Sequence, residues 1–464
     1  MNSITIPNIS IPSIGIPTIG IPSVGFPSAS GGGGLSWPAG MKEHIKAWYD
    51  PKKQGMTNFD VIEAYVEDFS KNPWNNKTEK YVGNLTSKAL TVTEVLVRSA
   101  LIYTNIKPYN FKVRITGLNN QKVIFGDDTS AYRALIVDKD GIYDINWEDN
   151  HKAYCIWIDF IGECNITITQ LPTSILKDLS GNGNHAYLYG GKGKLNSGMG
   201  VYQQDFSKLI ISRVDKKQDP FSFTVSGSGG SYLAYMQLGN WNNKAFKILA
   251  NINAKSDYLY LRFRNSTDAV ITSVMLKNGE NIIPAQNIEG ATKAVFEYSL
   301  KEGETITVTQ IPDYPDQLCY DGKMYAVCYG FPILTDYTVM TERTWFENRN
   351  VFLAKGNITT EAKYAFIFER FKPDGVMTVQ SFGAWNDVVS TTDSCISYLT
   401  KNKYNGIDIR SGIGADDDML SIGGALNKGN IELTSVCCHG AIIIADRSFT
   451  EEEINWLKQN WDKI

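Results

Sequence analysis

Histidine, paired cysteine and blocks of one charge are scarce in this chain, and each scarcity removes support for a class of chemistry. The four histidines (His44, His151, His185, His439) are scattered, with no H-x-x-x-H pair and no G-x-S-x-G stretch, so no metal or nucleophile site of those kinds is supported. The seven cysteines (Cys155, Cys164, Cys319, Cys328, Cys395, Cys437, Cys438) are odd in number and lack a repeated C-x-x-C spacing, which argues against a zinc site and against a disulfide framework. Most lie among apolar strand residues, so the expectation is buried free thiols and assembly in a reducing cytoplasm. His439 beside Cys437-Cys438 invites a thiolate pair, but a turn after a buried strand accounts for it better. Lys/Arg blocks are absent and the net charge is −4, which leaves no case for nucleic acid. The first residues show no basic segment leading into an unbroken apolar one, and no stretch is long enough to cross a bilayer. The expectation is a protein without a membrane partner that leaves a cell by lysis or within a particle.

What is present points to strands. The chain has 464 residues, enough for two to four domains, and is rich in Gly (40) and Tyr (24). Its first stretch repeats every five residues around Ile6-Pro7, Ile11-Pro12, Ile16-Pro17 and Ile21-Pro22. Proline at that spacing excludes helix and the β-branched residues favour extended backbone, so residues 1–34 read as an extended arm ending in the hinge Gly31–Gly34. Two large apolar residues per repeat are unusual for a solvated tail. They suit an arm that orders against a partner, by lying in a groove or pairing with copies of itself.

Residues 35–74 supply a first strand, Ile45 to Tyr49, and a helix over Asn58–Lys71 with Ile62, Tyr65, Val66 and Phe69 on one face. Two later stretches then resemble each other. Cys164-Asn165-Ile166-Thr167-Ile168-Thr169-Gln170-Leu171-Pro172 parallels Glu304-Thr305-Ile306-Thr307-Val308-Thr309-Gln310-Ile311-Pro312. Upstream, Lys139-Asp140-Gly141 matches Lys277-Asn278-Gly279, and Val113-Arg114-Ile115 matches Leu261-Arg262-Phe263. Residues 75–172 and 216–312 therefore read as duplicated small β modules inserted into a larger sandwich formed by 35–74, 173–215 and 313–464. At the end, Thr450-Glu451-Glu452-Glu453 is a capping box that starts a short helix with Ile454, Leu457 and Trp461 on one face.

Between the modules, Asp178-Leu179-Ser180-Gly181-Asn182-Gly183-Asn184-His185 is a run of glycines and short polar side chains, suited to a tight, pre-shaped loop. It resembles the D-x-S-G-N-G-N-H segment of laminin-G-like (concanavalin A-like) domains. Leu318-Cys319-Tyr320-Asp321-Gly322 is similar to that family's L-x-F-D-G strand, and Ile443 to Ile454 to its closing I-x-x-R-x-L-T-x-x-E-I. The resemblance implies an all-β fold: a laminin-G/concanavalin A-like β-sandwich with two inserted β-sandwich modules, an extended N-terminal arm and a C-terminal helix. It also implies rim loops that hold Ca²⁺ or glycan. Asp178, Asn182 and Asn184, or Asp416, Asp417 and Asp418, are the oxygen donors for such a cation, with turn stabilisation as the plainer reading of both groups.

Trp241 and Trp385, each flanked by Gly, Asn or Asp, are candidates for stacking on sugar rings, with core-edge packing as the alternative. The paired-carboxylate E-x-D-x-x-E motif of concanavalin-like glucanases is missing, so the expectation is a protein that is not an enzyme. The segment from Ala47 to Ile62 resembles the opening of structural proteins of phages and prophages of gut Bacteroidales. That resemblance implies a virion protein assembled in the host cytoplasm, a head- or tail-fibre or capsid-decoration subunit. Its arm would attach to other virion proteins and, by analogy with fibres, to copies of itself in a homotrimer, and its sandwiches would face host or mucin glycans. The rival is a carbohydrate-binding module or glycan-degrading protein of a gut bacterium.

Overall fold

The computed structural model describes residues 35–56, 69, 81–86, 88–96, 99–104, 110–127, 133–146, 153–190, 203–211, 215–227, 229–255, 258–285, 288–314, 316–348, 350–358, 363–427 and 430–464. The repeat arm lies outside them, as does the stretch read as a helix over Asn58–Lys71 apart from Phe69, which is buried with the first module's core residues.

The protein is all-β, its described residues forming one α-helix and six sheets, antiparallel except where Asn350–Asn357 meets Ala425–Asn427 in parallel. Two sheets form the main sandwich. The seven-stranded sheet runs in space Ile45–Tyr49, Val436–Ala445, Thr338–Trp345, Cys395–Thr400, Lys403–Tyr404, Ile407–Asp408, and Leu318–Asp321 also pairs with Val436–Ala445. The ten-stranded sheet runs Ile175–Leu176, Ala186–Tyr189, Tyr325–Tyr329, Met419–Ile422, Asn350–Asn357, Lys363–Phe371, Met377–Ser381, Ala384–Asp387, with the hairpin Ala425–Asn427 and Asn430–Glu432 beside it. Strand periodicity sorts the side chains: Leu188, Ala326, Cys328, Leu420, Phe366 and Phe368 meet Ala47, Tyr49, Val339 and Ile442 in the shared core. The other face of the seven-stranded sheet is covered by helix α1 (Glu451–Asn460), through Ile454, Leu457 and Trp461 on Met340, Ile443 and Tyr398. Its N-terminus has the capping box read from the sequence, Thr450 Oγ accepting from the Glu453 amide at 3.3 Å and Glu453 Oε2 accepting from the Thr450 amide at 2.9 Å.

The two modules have the same strand order. In the first, Tyr81–Leu85, Ala89–Val95, Gly162–Gln170, Asn110–Thr116, Gly141–Asn146 form one sheet and Ser99–Thr104, Ala153–Ile158, Val123–Asp127, Arg133–Val137 the other. In the second, the corresponding sheets are Asp215–Gln218, Ser222–Ser226, Thr305–Ile311, Phe246–Asn253, Gly279–Ile283 and Gly230–Gln237, Lys293–Leu300, Leu259–Arg264, Val270–Met275. Among the described residues the second module has one strand more, Ile210–Ile211 on Gly230–Gln237, from the stretch 173–215 expected in the main sandwich.

Equivalent details recur. Thr91 and Thr167 hydroxyls meet at 3.4 Å, Thr224 and Thr307 at 2.9 Å. Asp140 accepts from the amides of Gly117 and Leu118, and Asn278 from that of Ile252. The proposed match of Val113-Arg114-Ile115 to Leu261-Arg262-Phe263 is wrong. Topology pairs Asn110–Thr116 with Phe246–Asn253, and Leu259–Arg264 with Val123–Asp127. An apolar-Arg-apolar triplet recurs on any half-buried strand, so it does not identify which one.

Candidate functional site

The Asp178 loop is tied to its own protein by a dense set of hydrogen bonds. The Asp178 carboxylate accepts from the Trp48 amide (2.9 Å), the Ser180 amide (2.9 Å) and hydroxyl (2.8 Å), and the Asn184 amide (3.0 Å). Asn182 and Asn184 donate their side-chain amides to the carbonyls of Ile45 (2.8 Å) and Lys46 (2.7 Å). Gly181 and Gly183 supply the left-handed backbone (φ +90° and +77°) that turns the loop onto the strand Ile45–Tyr49.

In the acidic triplet the cation already present is Lys355. Its ammonium lies 2.9 Å from Asp416, both side chains fully buried, and also donates to the Asp417 carbonyl. Asp416 further accepts from the amides of Leu334 and Asp417, and Asp417 Oδ1 from that of Met419. Burial raises the pKa of both carboxyls. No cluster of three or more His, Cys, Asp or Glu side chains placed to hold a metal occurs among the described residues.

The two tryptophans part company. Trp241 is 9% exposed and packs on Phe246, Phe263 and Phe296, with centroids 5.6 to 6.5 Å away, inside the second module's core. Trp385 is 43% exposed on the outermost strand of the ten-stranded sheet, with the Arg370 guanidinium 4.9 Å from its ring centroid and Arg410 donating to its carbonyl at 3.0 Å. Desolvation lowers the pKa of Arg370.

On the same outer face, at the other end of that sheet, lies a groove of about 300 Å³ that sequence reasoning missed. Strand alternation turns Tyr187, Tyr189, Tyr325, Val327 and Tyr329 away from the main core, and Leu171 and Ile142 of the first module close over them. Tyr189 and Tyr325, opposite one another on paired strands, stack with centroids 5.1 Å apart, and the hydroxyls of Tyr189 and Tyr329 meet at 3.0 Å. The first module contributes Lys88, Thr169 and Arg114, whose guanidinium lies 4.7 Å from the Tyr329 centroid, while Asn430 closes the far side. Burial raises the Tyr329 hydroxyl's pKa and lifts that of Tyr187 to about 12, so both act as neutral hydrogen-bonding groups. The parts come from residues 88, 114, 169, 189, 325, 329 and 430, which only the fold brings together. The one sequence signal was tyrosine at even spacings in two strands, Tyr187 with Tyr189 and Tyr325 with Tyr329.

A second concavity, about 420 Å³, lies where the segment after the second module meets the main sandwich and is lined by Asp50, Lys52, Asp316, Gln317, Glu342 and Asp462, among others. Glu342 accepts from Gln317 at 3.0 Å, and burial together with Asp462 raises its pKa.

Two further buried polar groupings are bonded within the main sandwich. Arg343 and Glu369 form a fully buried bidentate pair at 2.6 and 2.9 Å, to which Trp345 and Tyr404 also donate. His439 Nε2 meets the Tyr320 hydroxyl at 3.1 Å rather than a cysteine, and burial lowers its pKa to about 4. Burial also pushes the Cys437 and Cys438 thiols well up, which keeps them protonated.

No protein-family model matches the chain, and no curated protein matches it at a significant level. Among solved structures it is similar to Trypanosoma rangeli sialidase in complex with sialic acid, at 8% identity over 83% of this chain and 84% of that one, with a TM-score of 0.25. It is also similar to the CBM22 tandem domain of Paenibacillus barcinonensis Xyn10C, at 10% identity over 55% and 98%, TM-score 0.13. A third similarity is to the Sulfolobus turreted icosahedral virus structure, at 11% identity over 90% and 100%, TM-score 0.13. At such TM-scores these similarities carry no argument about family or function.

Proposed function

We propose that this protein is a saccharide-binding adhesion subunit whose ligand lies in the tyrosine groove between the first module and the ten-stranded sheet. The observation that carries the reading is the composition of that groove: tyrosine rings with their hydroxyls, flanked by Thr169, Asn430 and two cationic side chains. Sugars need that mixture, since their C–H faces pack on aromatic rings while their hydroxyls take hydrogen bonds at the edge. Trp385 with Arg370 is a second, smaller contact point on the same face.

The laminin-G-like segments and the Ile-Pro repeat support a wider reading, in which the arm anchors the subunit to a virion as a fibre or decoration protein. Binding of the full chain to a glycan panel, beside Tyr325→Ala, tests the site. Tyr325→Ala is expected to weaken binding about tenfold at unchanged melting temperature, and a full chain that binds no glycan at millimolar concentration overturns the reading. Light scattering of the full chain and of a chain starting at Leu35 tests the arm: a trimer that becomes a monomer on truncation supports self-assembly through the repeat.

A glycan-degrading reading keeps one observation in its favour, the raised Glu342 carboxyl in the acidic cleft. Polysaccharide turnover that disappears in Glu342→Gln would establish it.

A further inference from the structure

We infer that the tyrosine groove is built for an acidic saccharide, whose carboxylate or sulfate is held by Arg114 with Lys88 beside it. The inference rests on the saccharide-binding reading and adds the charge of the ligand.

It follows from where the arginines find, or do not find, their counter-charges. Arg262 and Arg264 share Glu297, Arg343 is paired with Glu369, and Arg447 with Glu453. Arg114, Arg370 and Arg410 have no carboxylate partner among the described residues. All three belong to the aromatic sites on the outer face of the ten-stranded sheet: Arg114 over Tyr329, Arg370 over Trp385, and Arg410 on the Trp385 carbonyl.

The groove wall repeats the asymmetry. Its described residues include Lys88 and Arg114 and no Asp or Glu, although the chain as a whole has more acidic than basic residues, 49 against 45. Lys88 holds its ammonium 5.7 Å from the Tyr189 centroid, so both cations sit on tyrosine faces at the first module's edge of the groove. A guanidinium over a ring face keeps its N–H groups in its own plane, whose edge can grip two oxygens of one anionic group. The half-buried setting makes that grip stronger than it would be in open water. A neutral sugar would leave the Arg114 charge without a carboxylate or sulfate among the described groups; a uronate or a sulfated sugar supplies one.

The test is a titration of the full chain with three probes: polygalacturonate, its fully methyl-esterified form, and a sulfated galactan. Polygalacturonate or the sulfated galactan is expected to bind at least about tenfold more tightly than the ester, and which of the two binds identifies the anionic group. Raising salt from about 0.05 M to about 0.5 M should remove most of that advantage. Arg114→Gln should abolish the preference, bringing the affinity for the acidic polymers down to that for the ester. Lys88→Gln, at the rim, should reduce the preference in part and serves as the second variant if Arg114→Gln unfolds. Equal binding of ester and acid overturns the acidic inference and leaves the saccharide reading standing. Failure of all three probes, together with a blank neutral glycan panel, overturns both.

Discussion

The first and second modules share one topology and have been put to different uses. Their cores and turns coincide, down to the threonine pairs and the Asp140 and Asn278 turn side chains. Their surfaces do not. On the outer face of the second sheet, Ile124 of the first module lies opposite Trp157 and Ile136, whereas Tyr260 of the second lies opposite Glu297 and Met275. There Glu297 gathers Arg262, Arg264 and Tyr258 into one ion-paired cluster. The first module instead sends Leu171 and Ile142 onto the main sandwich and leaves Arg114 without a carboxylate among the described residues. A duplicated sandwich thus keeps what folds it and varies what faces outward: one copy satisfies its own charges, and the other leaves a charge to be satisfied by something else.

The largest way to sharpen this contrast is Phe296→Ala. Phe296 lies among Phe206, Phe223 and Trp241, with centroids 5.1 to 6.5 Å away, so truncation should cost the second module about 3–5 kcal/mol. Calorimetry should show that module's transition fall while ligand binding in the groove persists. A loss of both would mean that the modules do not act separately.

Acid should single out the main sandwich. His439 is buried and neutral, its pKa lowered to about 4 from 6.5, so the unfolded chain binds the extra proton between those values. Its contribution is complete above pH 6.5 and is lost as the pH falls toward 4, about 3 kcal/mol in all. Chemical denaturation at pH 7 and pH 4.5 should show the slope, and His439→Gln should flatten it.

The smallest effect is expected at Gln310, whose buried amide accepts from the backbone of Gln203 and Gln204 and donates back to Gln204, tying the second module's first described residues to its last strand. Gln310→Ala should cost about 2 kcal/mol, read as a lower denaturation midpoint of that module alone.

Much of the fold was legible because it is local. The first strand, the capping box and the alternating Ile166/Ile168 and Ile306/Val308 strands follow from period and cap chemistry that neighbouring residues carry. The Lys139-Asp140-Gly141 and Lys277-Asn278-Gly279 turns fall at equivalent places for the same reason. What depends on register across the chain was not legible. Nothing near Trp241 says that three phenylalanines enclose it, while Trp385, in a similar Gly/Asn setting, stands on an edge strand. Lys355 and Asp416 lie too far apart in sequence to announce that an ammonium fills the space read as a cation site. The groove is the extreme case, since its cations and its tyrosines belong to different folding units.

The latch between the Asp178 loop and the strand Ile45–Tyr49 has a mechanical meaning. That strand lies antiparallel along Val436–Ala445, from Ile45 opposite Ala445 to Tyr49 opposite Ile442. A pull along the axis of this strand would act across ladder bonds that lie perpendicular to it. The bonds then share the load in shear and must fail together, rather than unzip one by one. Asp178, Asn182 and Asn184 rivet the strand's other edge through Trp48, Ile45 and Lys46, and Trp37 is braced 4.9 Å from Trp456 of α1. The sheet that takes the pull is not the sheet that bears the groove, so a tug on one end need not distort the grip at the other.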